Sequence, residues 1–220
     1  RIKLKRKLTS KQWSKRPYKK ESIPAEVRLR KTLERLGPSF IKFGQVLSVR
    51  PDLMPKNYIR ELEKLQDKVP PFSFAEVKKQ IESEFRKPLN EIFSKFEKKP
   101  IASASISQVH KAVLKNGSIV AVKVQRPNVR EIMEKDIEVM LYIASLIEKY
   151  IERSKKYEPV NIIKEFADWT KDELDFMLEA RNAKIFALNF KDNNNIVIPK
   201  IYDEYVTEKV LTSEFIDGIE

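Results

Sequence analysis

"PIASASISQVHKAVLKNGSIVAVKVQRP", Pro100 to Pro127, is the stretch that decides the fold. Its second half spells a hairpin. "QVHKAVL" and "SIVAVKVQ" flank Lys115-Asn116-Gly117, and an Asn-Gly pair between strand-like runs is the strongest short hairpin signal. Period two sends Val120, Val122 and Val124 to one face of the second strand and Ala121 and Lys123 to the other. Arg126-Pro127 ends that strand. The first half, "ASASISQVH", is a run of small side chains with no glycine before Gly117. It lies one hairpin ahead of the strand lysine Lys123. Alanine and serine keep the smallness, however, while giving up much of the backbone freedom of glycine.

Outward from the hairpin the texture is helical on both sides. Pro24 opens "AEVRLRKTLERL" and Gly37 stops it, and Pro38 opens "SFIKFGQVLSV", since proline fits a first turn. Pro51 and Pro55 bracket a turn before "KNYIRELEKLQDKV". Ser73 caps "FAEVKKQIESEF", where Phe74, Val77, Ile81 and Phe85 keep helical spacing. After the hairpin, Val129, Met133, Ile137, Met140, Ala144, Ile147 and Ile151 trace one apolar stripe. A further helical segment is expected from about Val160 to Phe190, broken by "NNN". Two strand-like runs follow, "IVIPKIYDEYV" and "KVLTSEF".

The charge is concentrated. The chain carries a formal +12, yet residues 1–20 hold ten Lys or Arg and no acid. The other 200 residues hold 34 basic against 32 acidic side chains. A nucleic-acid binder usually spreads its charge over the folded surface, so no nucleic-acid partner is expected. The arm mixes its charges with Ile2, Leu4, Leu8 and Trp13, which suits an anionic membrane surface or, more blandly, a solvated tail. No apolar run approaches the roughly 20 residues of a membrane-spanning helix, and the basic start lacks the apolar stretch of a secretory signal. With one histidine and no cysteine, a His/Cys-type metal site is excluded.

Several segments, in order, carry a family resemblance. "VAVK" resembles the strand on which protein kinases hold the α- and β-phosphates of a nucleotide. "IKFGQVLSVRPDLMP" resembles the K-x-G-Q signature of the UbiB/ADCK group of protein-kinase-like proteins, here Lys42, Gly44 and Gln45. "DELDFMLEARNA" is similar to its E-x-D segment, Glu173 and Asp175, followed by Glu179. "VLTSEFIDG" resembles the strand entering the hinge, and the small-residue loop resembles the family's alanine-rich one. Ser103 interrupts the alanines, and Ser107 stands where glycine is usual.

The resemblance implies an α+β fold: a protein-kinase-like N-lobe with an antiparallel β-sheet, a helical insertion over Asn128–Ile151 and an N-terminal helical extension. The implied division is a basic arm over 1–22, the extension over 23–88 and the lobe over 89–220. The C-lobe, with its catalytic loop and metal-binding aspartate, is expected outside this chain. The implied activity is that of an atypical kinase or ATPase supporting isoprenoid-quinone (ubiquinone-type) biosynthesis, peripheral to the membrane on the cytoplasmic side. Its cofactor would be ATP or ADP with Mg²⁺, the metal ligands lying in the C-lobe, and its partners lipid and quinone-biosynthesis proteins. A non-catalytic lipid- or partner-binding scaffold is the alternative.

The site residues follow from the same resemblance. Lys123 would grip phosphates and Glu179 would align it; Glu138, nearer in sequence, is the competing partner. Ala102, Ser103, Ala104, Ser105, Ile106 and Ser107 would cover the nucleotide. Glu214, Phe215 and Ile216 would read the adenine edge through their backbone. Lys42, Gly44, Gln45, Glu173 and Asp175 would form a lid network. Lys42 and Gln45 share a helix face. Gly44 costs nearly 1 kcal/mol against alanine in a helix, which makes sense if another segment approaches closely there. On one helix, Asp175 and Glu179 share a face while Glu173 points elsewhere, so one helix would serve both Lys123 and the lid. His110 is expected to be structural.

Overall fold

The structure, a computed structural model, describes residues 23–65 and 70–218. The basic arm, with Ile2, Leu4, Leu8 and Trp13, lies outside the described residues. The extension runs through α1 (Ala25–Leu36), α2 (Pro38–Ser48) and α3 (Lys56–Leu62). Gly37 joins the first two with φ 111°, a left-handed conformation that glycine adopts without steric cost. Next comes α4 (Phe74–Phe85), opened by a capping box in which Ser73 and Glu76 satisfy each other's backbone N–H groups. The Ser73 hydrogen bonds hold the Glu76 carboxyl below the usual carboxylate range.

The short α5 (Leu89–Ile92) leads into the strands β1 (Phe93–Phe96), β2 (Ala102–Ser103), β3 (Ser107–Leu114) and β4 (Ile119–Gln125). The helices α6 (Val129–Tyr150), α7 (Pro159–Glu173) and α8 (Phe176–Asn189) come next, and β5 (Val210–Glu214) closes the sheet. The order is β1-β3-β4-β5, all antiparallel, with β2 also pairing on β3.

The hairpin forms as its pattern requires. Val120, Val122 and Val124 are fully buried and pack with Val77 and Ile81 of α4, so α4 shares the core of the sheet. The opposite face of β4, with Ala121 and Lys123, turns toward α8. There Ile106, Leu174, Phe176, Ala180 and Leu211 form a smaller cluster with Val129 and Met133 of α6. Further along the stripe Ile137, Met140 and Ala144 pack on α1, α2 and α7, whereas Ile151, expected to continue it, lies past the end of α6 and is exposed. Thus α6 binds the helical layer to the sheet.

Two expectations need correction. The run "IVIPKIYDEYV" is not a strand. It holds one bridge, Ile201 to Ser213, and a 3₁₀ turn at Asp203–Tyr205. Pro199 has no N–H to give a ladder, so the segment hangs beside β5 by a few bonds, including Tyr202 N–H to Thr212 O. The segment from Val160 to Phe190 is two helices and not one. It breaks at Leu174-Asp175, where Asp175 takes extended backbone and caps α8 by accepting from the N–H of Met177 and Leu178. The break drives Phe176 into the core at zero exposure, and its N–H donates to Glu208 O on the sheet side.

Candidate functional site

Lys123 sits across the ladder from Leu211, on the face covered by α8. Its Nζ donates to both oxygens of Glu179, at 3.0 and 2.7 Å, and lies 4.7 Å from the centre of the Phe176 ring. The two side chains are 27% and 44% exposed, so the ammonium is aimed but not sealed from solvent. Glu138 is exposed on α6 and forms no ion pair among the described residues. The α7–α8 break produces this arrangement, since α8 restarts at its own cap and lays Glu179 over β4.

The other end of the break makes a second pair. Lys42 of α2 donates to Glu173 Oε1 at 2.5 Å and stands 5.0 Å from the Trp169 ring centre. The pair is 13% and 25% exposed, and Glu173 Oε2 is buried with no partner among the described residues. Gly44 provides the approach. A Cβ there would lie 2.4 Å from Leu65 Cδ1 and 2.8 Å from Leu33 Cδ1, so α2 is seated on those leucines by its missing side chain. The expected five-residue network is smaller in fact. The Gln45 amide donates to Leu65 O, because it faces the chain leaving α3, and the Asp175 carboxylate is spent on the α8 cap.

The small-residue run folds back as a tight hairpin. Ala102 and Ser103 pair with Val109 and Gln108, and Ala104 N–H donates to Ser107 O at 2.8 Å. No residue of the run takes a positive φ, so the turn is made without the left-handed backbone that glycine would permit. Ser105, Ile106 and Ser107 are buried, and the Ser105 hydroxyl has no partner. An orphaned buried hydroxyl in a turn of small side chains has hydrogen-bonding capacity left for an outside group such as a phosphate oxygen. Among the described residues no cluster of three or more His, Cys, Asp or Glu stands ready for a metal ion.

Two residues not singled out from the sequence organise this hairpin. The Arg126 guanidinium donates to the carbonyls of Ser105 and Ala104, both at 3.2 Å, and of Pro70 at 3.1 Å. Its backbone N–H donates to Ile106 O at 2.7 Å, and Phe72 lies under its side chain. The Gln108 amide bonds both backbone groups of Phe72 and reaches His110 Nε2 at 2.8 Å. A buried polar residue at an inward strand position was the only local signal for Gln108. For Arg126 there was none, because its partners are distant carbonyls.

His110 is fully buried beside Phe74 and Phe96, away from the Lys123 face. Its Nδ1 meets Glu97 O at 2.8 Å. Burial lowers its pKa, with the bond to Glu97 opposing more weakly. Near the expected hinge, the Phe215 N–H donates to Ile119 O, which takes that group from an adenine edge. The Glu214 N–H donates to Lys200 O at 2.8 Å and so is taken as well, its carboxylate accepts from Lys200 N–H, and Ile216 is exposed.

Comparison with known proteins agrees with this architecture. The family model described as the ABC1 atypical kinase-like domain matches residues 64–220. A curated relative from Marinobacter nauticus, named probable protein kinase UbiB, is 43% identical over 87% of this chain and 35% of its own length. One of the same name from Pseudomonas aeruginosa is 40% identical over 94% of this chain and 39% of its own. The chain therefore spans little more than a third of these relatives. A solved structure, the complex of Rv3197 with erythromycin from Mycobacterium tuberculosis, is similar at 30% identity and a TM-score of 0.58. It covers 87% of this chain and 48% of that one.

Proposed function

This chain belongs to the ABC1 atypical kinase-like family, and from that premise we propose that it is the nucleotide-gripping part of an atypical kinase or ATPase serving isoprenoid-quinone biosynthesis. The observation that carries the reading is the Lys123–Glu179 pair, a charge-assisted contact between residues 56 apart, half open beside a small-residue hairpin. In this role Lys123 neutralises the α- and β-phosphates while Glu179 keeps the ammonium off the strand surface. The run from Ala102 to Ser107 covers the phosphates, and Glu214 and Ile216 border the adenine. Lys42, Gly44 and Glu173 hold the extension as a lid over that pocket. Mg²⁺ would supply charge neutralisation to the phosphates, and among the described residues no cluster of three or more His, Cys, Asp or Glu stands ready to hold it.

Nucleotide binding to the full-length protein tests this. Lys123→Ala should weaken ADP or ATP binding roughly tenfold or more, the scale of a lost hydrogen bond to a charged group. Unchanged affinity would overturn the role.

A second reading has its own observation. An apolar cavity of about 540 Å³ opens between α1, α2, α6 and α7, lined by residues such as Leu33, Phe43, Met140 and Ile163. Of its three hydroxyl-bearing residues, Thr32, Ser154 and Tyr157, the first two are bonded to nearby backbone carbonyls, so most of the lining suits a hydrocarbon chain. A lipid- or partner-binding scaffold would use it together with the basic arm. Co-sedimentation with anionic vesicles, lost on deleting residues 1–20, would favour that reading; absence of binding would remove it.

A further inference from the structure

The hairpin of small side chains has a shape that its own residues do not explain. A phosphate-facing loop must present backbone N–H groups together, and glycine ordinarily supplies the freedom to do so. Here three successive carbonyls, those of Ala104, Ser105 and Ile106, all turn toward one residue. The first two accept from the Arg126 guanidinium and the third from the Arg126 backbone N–H. In a trans peptide the C=O and N–H point in opposite directions, and the described chain has no cis bond. The N–H groups of Ser105, Ile106 and Ser107 therefore point away from Arg126.

Those of Ser105 and Ile106 carry no hydrogen bond among the described residues. Both residues are buried, and the Ser105 hydroxyl beside them is unpartnered as well. Buried donors left without acceptors are rare in folded proteins, so the cluster is set for an acceptor from outside.

We propose that Arg126 is a positioning residue for nucleotide phosphates: by gathering the carbonyls of Ala104–Ile106 it turns the following amides together, away from itself, as a cradle, doing by side chain what glycine does by backbone freedom. This rests on the reading of the hairpin as the phosphate-facing loop. Arginine suits the task because its planar fork reaches several carbonyls at once. The guanidinium's remaining acceptor, Pro70 O, belongs to the segment entering α4, so the same group also fixes that segment against the loop.

The test uses the full-length protein and the variants Arg126→Ala and Arg126→Lys, titrated with ADP and with adenosine. The expected result is a roughly tenfold or larger loss of ADP affinity in Arg126→Ala, with adenosine affinity unchanged. Arg126→Lys, which keeps the charge but not the fork, should fall between. Equal losses for ADP and adenosine would reduce Arg126 to a structural role and overturn the proposal, as would unchanged ADP affinity. Amide hydrogen exchange in the unliganded protein separates this proposal from the nucleotide reading. Arg126→Ala should speed exchange at residues 103–107 and leave 120–124 alone. If the wild-type protein binds no nucleotide, the functional reading fails, and the clamp, having no phosphate to position, falls with it. If nucleotide binds but exchange at 103–107 is unchanged in Arg126→Ala, only the clamp fails.

Discussion

The sheet and the helical layer each hold a lysine–glutamate pair, and the two pairs behave differently because of what surrounds them. Lys123 and Glu179 meet in the open, with a ring on one side and solvent on the other. Lys42 and Glu173 meet under α2, with Trp169 over the cation and one carboxylate oxygen buried and unpaired. An open pair contributes little to stability, with a median of about 0–1 kcal/mol, and can be remodelled by a ligand. A partly buried pair is costlier to break than an open one, because either partner alone is a partly desolvated charge. The same pairing chemistry thus yields a handle on the sheet and a fastener on the helices.

That contrast can be broken most directly at the fastener. Lys42→Ala should cost about 2–4 kcal/mol in urea unfolding, because Glu173 keeps its burial and loses its cation. A cost under about 1 kcal/mol would place the two pairs in one class. Gly44→Ala probes the seat that brings Lys42 to Glu173. The added methyl must displace Leu65 and Leu33, so a loss of about 1–3 kcal/mol is expected despite the helix propensity gained. Stabilisation would mean that the leucines simply rotate aside.

The sheet side has its own probe in His110. Its folded pKa is lowered, so below the unfolded value of about 6.5 the unfolded chain binds a proton that the folded chain refuses. Stability should therefore fall as pH drops below about 6.5, by at most about 1.4 kcal/mol per pH unit, and His110→Gln should flatten that slope. The smallest expected effect is at the handle. Lys123→Ala should shift the unfolding midpoint by less than about 1 kcal/mol while stripping nucleotide affinity. A large stability loss there would make the pair a fastener too.

Much of the fold was legible because its signals are local. Gly37, Ser73 and Gly117 mark ends and turns through backbone geometry and capping, and each does so in the structure. The α6 stripe and the valines of β4 announce their faces by period alone. The site was legible in its members more than in its wiring. Lys123 and Glu179 meet as expected, yet through a helix break that the single-helix reading had smoothed over. The family resemblance of its segment put Asp175 in the lid, whereas its carboxylate answers two amides at a helix start. "IVIPKIYDEYV" looked like a strand because β-branched residues outweighed Pro199 in a purely local reading.

By itself the sequence determined the hairpin, its faces and the helical registers, since these depend on neighbours within a few positions. Only the tertiary structure decided where α8 restarts, which carbonyls Arg126 collects and which lysine is left open to solvent. Those outcomes hang on contacts between residues 21 to 131 positions apart. Their geometry is set by how the sheet and the helical layer pack against each other, and no window of sequence contains it.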